Sequence, residues 1–163
     1  MQEFVRAIKV GGWDGLIQSL NHSEDLLKNT WALDEKAVAK GLEEIHNSMT
    51  SILKYNDENS LTCTILIAYY SAKIYYMNPL MELPSGKGFA DVVYLPKRNV
   101  DKPALVIELK WKKSAKGAIQ QIKENQYTSW LKEYTGNILL LGINYDKKKG
   151  HECVIEEYQM EGI

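Results

Sequence analysis

Apolar residues recur along this chain in two rhythms, a three-to-four-residue repeat over the first half and short alternating or continuous runs over the second. The first marks helices and the second marks strands. Phe4 to Leu20 reads as a helix in two pieces broken at Gly11-Gly12, with Trp13, Leu16, Ile17 and Leu20 at helical spacing. Asp34 is placed to cap a second helix, whose Val38, Leu42, Ile45 and Met49 mark one face. Lys36, Lys40, Glu43 and Glu44 fall on its solvated sides. Asn56 to Ser60 offers cap residues for a third helix, expected from about Glu58 to Met77 and stopped before Pro79. Its Leu61, Ile65, Leu66, Tyr69 and Ala72 leave it apolar almost all round, as in a helix covered on more than one side.

After the turn at Pro84 to Gly88 the pattern changes. Phe89 to Leu95 and Ala104 to Lys110 read as strands, and Pro96 to Pro103 has the length and composition of a long hairpin loop between antiparallel partners. Ser114 is placed to cap a helix through about Tyr134, with Ala115, Ala118, Ile119, Ile122, Trp130 and Leu131 inward and Gly136 as its stop. Asn137 to Tyr145 is a nearly continuous apolar run, as in the interior of a sheet. A turn at Asp146 to Gly150 leads to a last strand, His151 to Tyr158. Helices, two strands, a helix and two strands predict an α/β sandwich with a mixed central sheet. A chain of 163 residues suits one domain able to bury roughly 70% of its unfolded surface.

Charge intrudes where the strand pattern demands burial. Strand side chains alternate between faces, so Glu108 and Lys110 point one way while Leu105, Ile107 and Leu109 point the other. Burying such charges is unfavourable unless they meet partners or a metal. Asp91 adds a second carboxylate on the preceding strand. Two carboxylates about 4 Å apart repel by roughly 4 kcal/mol at an effective dielectric of 20, so an empty pair should hold a proton or recruit a cation. Mg²⁺ takes one or two carboxylates plus waters and substrate oxygens, which Asp91, Glu108 and Glu58 can supply. The bland reading of Glu58 is a first-turn acid that complements the helix dipole.

Asp91 followed on the next strand by Glu108-x-Lys110 resembles the signature of the PD-(D/E)XK nuclease superfamily. The stretches GFADVVYLP, DKPALVIELKWKKSAKGAIQQI and YTGNILLLGINYDKKKGHECVIE are similar to the C-terminal nuclease-like domain that follows an AAA-type ATPase-like region in a large bacterial family. GGWDGLIQSLNHSEDLL and YNDENSLTCTILIAYYSAKIYY resemble its helical lead-in. The resemblance implies a restriction-endonuclease-like three-layer sandwich, with residues 1–55 as a helical lead-in packed on a core of 56–163, one compact domain overall. It implies a fragment or stand-alone version, since the ATPase-like part is absent from this sequence. It also implies Mg²⁺-dependent cleavage of nucleic acid, DNA by preference, with Mn²⁺ as a substitute ion. Asp91, Glu108 and Glu58 would be metal ligands, and Lys110 would position or activate the attacking water. Gln121 or Tyr127 would come from the following helix. Their spacing of six residues does not let both face the site squarely, which favours Gln121. The alternative is a nuclease-fold module that binds nucleic acid, or docks an ATPase-like region, without catalysis. A third reading is a structural oligomerisation domain.

Composition narrows these readings without replacing them. Twenty basic against 21 acidic residues give a net charge of −1, so nucleic-acid binding must rest on a local patch. Lys112, Lys113 and Lys116 supply one beside the motif, whereas Lys147 to Lys149 read as an exposed turn. Tyr69-Tyr70 and Tyr75-Tyr76 read as helix packing. Cys63 and Cys153 lack metal-ligand spacing and read as reduced core thiols of a cytoplasmic protein, with a disulfide between them left open. His22, His46 and His151 show no ligand spacing and no Ser or Cys partner, which excludes a hydrolase triad. The N-terminus lacks the pattern of a secretory signal, and Leu61 to Tyr70 falls well short of the roughly 20 apolar residues a membrane span requires. Gly86-x-Gly88 precedes a strand and not a helix, the wrong context for a dinucleotide site.

Overall fold

Side-chain alternation along the two longest apolar strands divides the interior into two layers, one on each face of a mixed sheet. The structure, a computed structural model, describes residues 14–49, 58–81, 90–124, 134 and 136–158; the side chains of 14–20, 49 and 58 lie outside that description. The elements are α1 (Asp14–Trp31), α2 (Glu35–Met49), α3 (Glu58–Ala68), a 3₁₀ helix (Tyr70–Ile74), β1 (Leu80–Met81), β2 (Val92–Tyr94), β3 (Ala104–Trp111), α4 (Ala115–Glu124), β4 (Ile138–Asp146) and β5 (Gly150–Tyr158). The five strands lie in the order β1-β2-β3-β4-β5. All neighbours are antiparallel except β3 and β4, which run parallel and are joined through α4. On one face Leu105, Ile107, Leu139, Leu141 and Ile143 meet Leu27, Leu42, Leu61 and Ile65 of the first three helices. On the other, Ala104, Val106, Ile138 and Leu140 meet Ile119 and Ile122 of α4. The expected α/β three-layer sandwich with a mixed sheet and a helical lead-in is the fold, and it is restriction-endonuclease-like.

The helical half departs from the periodicity in instructive places. α1 runs on to Trp31, well past Leu20, because Leu26 and Leu27 are buried and the buried hydroxyls of Ser23 and Thr30 find partners. Ser23 Oγ donates to Ser71 Oγ at 3.0 Å and accepts the Ser71 N–H at 2.8 Å, and Thr30 Oγ1 donates to the Leu26 carbonyl at 2.9 Å. The third helix does not reach Met77 as α-helix; it ends at Ala68 and tightens into the 3₁₀ segment that delivers Ser71 to Ser23. Asp34 caps α2 as expected, its Oδ1 accepting the Ala37 N–H at 3.0 Å. The expected break at Gly11-Gly12 and Trp13 lie outside the described residues, as do the expected turn at Pro84 to Gly88 and the expected helical positions Trp130 and Leu131. β1, a two-residue edge strand, was not expected from the sequence.

Tyr69 and Tyr76 are buried and pack as expected, with Tyr76 donating to the Pro103 carbonyl at 2.7 Å, while Tyr70 is exposed. Cys153 is buried, which pushes its thiol up to about 12, and both cysteines are free. Cys63 corrects the core-thiol expectation: it is exposed, because α3 turns Leu61 and Ile65 inward and leaves position 63 outside. Among the described residues no helix is long and apolar enough to cross a membrane.

One glycine sets how closely α4 lies on the sheet. Gly142 pairs with Glu108, and a Cβ there would sit 2.2 Å from the Ala115 carbonyl oxygen and 3.1 Å from the Ala118 Cβ. Gly142→Ala must therefore push the start of α4 off the sheet. A loss of about 1–3 kcal/mol is expected in denaturant unfolding.

Candidate active site

The long β2–β3 connection and the β3–α4–β4 crossover bring Asp91, Glu108, Lys110 and Gln121 to one face of the sheet. Val92 pairs with Ile107, and continuing that register by one step sets Asp91 opposite Glu108. Residues so opposed hold their Cβ atoms roughly 5 Å apart on the same face. Asp91 lies just ahead of β2 and not two residues into it, because the regular strand starts only at Val92. Its Oδ2 accepts the Leu109 N–H at 2.6 Å, so a side chain takes over the backbone pairing where the ladder stops. That bond fixes the Asp91 carboxylate beside Glu108.

Glu108 and Lys110 share the face that α4 covers, as strand alternation predicts. Lys110 Nζ lies 3.1 Å from Glu108 Oε1, with their side chains only 12% and 4% exposed. Gln121, on α4, closes the group. Its Nε2 donates to Glu108 Oε1 and its Oε1 accepts from Lys110 Nζ, giving a ring of three mutual contacts. A buried ion pair is tolerated when further hydrogen bonds satisfy its remaining capacity, which Gln121 provides. Tyr127 lies outside the described residues. Glu58 opens α3, which packs on the other face of the sheet; its side chain also lies outside the description.

Asn144 is a functional candidate that the periodicity missed. It is buried on β4, paired with Lys110 on one side and Glu152 on the other. Its Oδ1 accepts the Lys113 N–H at 2.9 Å, and its Nδ2 donates to the Lys113 carbonyl and to Glu152 Oε2, each at 3.2 Å. Lys112 adopts φ +56°, a left-handed conformation unfavourable by about 1–2 kcal/mol for a side-chain-bearing residue. Asn144 thus clamps the strained turn from which α4, and with it Gln121, departs. The signal was a lone amide inside an otherwise apolar strand. Lys112, Lys113 and Lys116 are exposed around that turn, and Lys147 to Lys149 are exposed on the β4–β5 turn.

The donor set on this face is hard oxygen beside an ammonium. The PD-(D/E)XK nuclease superfamily profile matches residues 56–155, which is 100 of the 163 residues. This chain belongs to the PD-(D/E)XK nuclease superfamily. Asp91, Glu108, Lys110, Gln121 and Glu58 all fall within the matched span. No curated protein sequence matches the chain significantly. Nucleases of this superfamily use divalent metals, and two carboxylates on one face suit an oxygen-preferring cation. The superfamily assignment also bears on the histidines, since its motif uses none of them. Here the structure corrects the sequence reading: Glu43, His46 and His151 bring ligand atoms within 4.8 Å of one another. Glu43 is accordingly not a solvated bystander, because its carboxylate reaches across to β5.

Proposed function

We propose that this protein hydrolyses phosphodiester bonds of nucleic acid, DNA by preference, at the face formed by Asp91, Glu108, Lys110 and Gln121. The observation that carries the reading is the Glu108–Lys110–Gln121 ring, set beside an Asp91 carboxylate anchored by the Leu109 N–H. Asp91 and Glu108 would hold Mg²⁺, with Mn²⁺ as a substitute and Glu58 as a third acid. When bound, such a cation offsets negative charge developing on the phosphate and lowers the pKa of a water. Gln121 orients Glu108 and shares Lys110, so the ammonium is held rather than free to swing. Held there, Lys110 can donate a hydrogen bond to an attacking water or to a phosphate oxygen. Lys112, Lys113 and Lys116 would meet backbone phosphates, making binding strongly salt-dependent.

The second reading is a nuclease-fold module that binds nucleic acid, or docks an ATPase-like region, without catalysis. One observation favours it: Glu108 Oε1 is already engaged by both Lys110 and Gln121, so the pair is satisfied without a metal. The association with an ATPase-like region is supported by the sequence resemblance alone. We also read residues 1–55 as the lead-in of a single unit with 56–163, supported by α2 packing against β5 and α1 against α3. A cytoplasmic setting is supported by two free cysteines.

Incubating the purified protein with labelled single- and double-stranded DNA, in Mg²⁺ or Mn²⁺ against EDTA, separates the two readings. Cleavage that EDTA abolishes is the expected result. Intact substrate in both metals, despite binding of the DNA, leaves only the non-catalytic module.

A further inference from the structure

On the sheet face opposite the carboxylates, we propose that Glu43, His46 and His151 form a binding site for a divalent transition-metal ion of the zinc class. Glu43 and His46 stand at i and i+3 on α2, the spacing that puts two side chains on one face of a helix. The same Glu-x-x-His arrangement serves metal sites in helical bundles. His151 arrives from the start of β5. It pairs with Tyr145, and Tyr145 belongs to the layer packed under the first three helices.

Several features hold this constellation in place. Glu43 Oε2 accepts the His151 N–H at 3.2 Å and lies 2.5 Å from His151 Nδ1. Gly150, at φ +77°, presents His151 to α2; a Cβ at that position would stand 3.0 Å from Glu43 Oε2. The His46 ring lies 5.4 Å from the His151 ring, and the Tyr145 ring meets His46 edge-on at 5.0 Å and His151 at a tilt at 4.8 Å. His46 Nδ1 is shielded from solvent, while Glu43, 39% exposed, leaves a way in. Two imidazoles gathered on one carboxylate exceed what a simple ion pair uses. Burial holds both histidines below their usual range.

The donor set chooses the ion. Two nitrogens and one carboxylate suit zinc, cobalt or nickel, whereas Mg²⁺ prefers an all-oxygen shell. The ligands join α2 to the β4–β5 hairpin, with 108 positions of chain between Glu43 and His151. A bound ion would act as a staple between them, and three protein ligands leave its remaining position to water.

Zinc titration of the tag-free full chain, with magnesium in large excess, tests the site by calorimetry and thermal unfolding. One zinc per chain is expected, with Tm raised by roughly 5–10 °C at a free zinc about 100 times Kd. His46→Gln with His151→Gln should abolish both effects, and Asp91→Asn with Glu108→Gln should preserve them whether or not the protein cleaves DNA. Absence of zinc binding in the wild type overturns the proposal, as does zinc binding that survives the histidine pair or disappears with the carboxylate pair. X-ray absorption of the zinc-loaded wild type does not depend on how the variants fold. Two imidazole nitrogens in its first coordination sphere support the site, and an all-oxygen sphere refutes it.

Discussion

Asp91→Asn and Glu108→Gln are each expected to lower divalent-dependent cleavage by roughly 10²–10⁴-fold, the rate equivalent of several kcal/mol of lost charge stabilisation. Both substitutions keep the shape of the side chain. An amide oxygen at position 91 can still accept the Leu109 N–H, so the β2–β3 junction should survive. What disappears is the negative charge that holds a cation. Cleavage rates measured at saturating Mg²⁺, with circular dichroism to confirm the fold, separate this from unfolding. Variants that cut within a few-fold of wild type would remove both carboxylates from the chemistry.

Lys110→Met should destabilise the protein by about 3–5 kcal/mol, because it takes the ammonium away from a buried ion pair and keeps the Glu108 carboxylate. The combined Glu108→Gln and Lys110→Met variant removes both charges and should recover most of that loss while remaining inactive. Denaturant unfolding of the four proteins closes the cycle. A stable but inactive double variant would show that the pair is retained for chemistry at no benefit to stability. A double variant as unstable as Lys110→Met alone would mean that the ring is a structural element.

The sheet and the buried pairing of Glu108 with Lys110 were readable in the sequence for the same reason. Period-two alternation exposes any charge that falls on a buried face, and Glu108 and Lys110 fall on the face α4 covers. The boundaries of the helical half were less readable, because the end of α1 and the tightening after α3 are decided by Ser23 meeting Ser71. These residues are 48 positions apart and carry no periodic signal. Gln121 was reached through resemblance and a helical-angle argument, and its contacts with both Glu108 and Lys110 now place it among them. Asn144 was missed because two of its three hydrogen bonds go to backbone groups of Lys113, 31 positions away, which no pattern of side chains records. The Glu43, His46 and His151 group was missed for a related reason: 108 positions separate Glu43 from His151, and only the sheet register brings them together.

Asp91 and Glu108, on this reading, grip one cation between them. A crystal structure of the protein soaked in Mn²⁺, with anomalous diffraction locating the ion, tests it most directly. An anomalous peak bound by oxygens of both carboxylates is expected, and the same map will show whether Glu58 joins them from the start of α3. Manganese bound elsewhere, with Glu108 still closed on Lys110 and Gln121 and no peak beside Asp91, would contradict it.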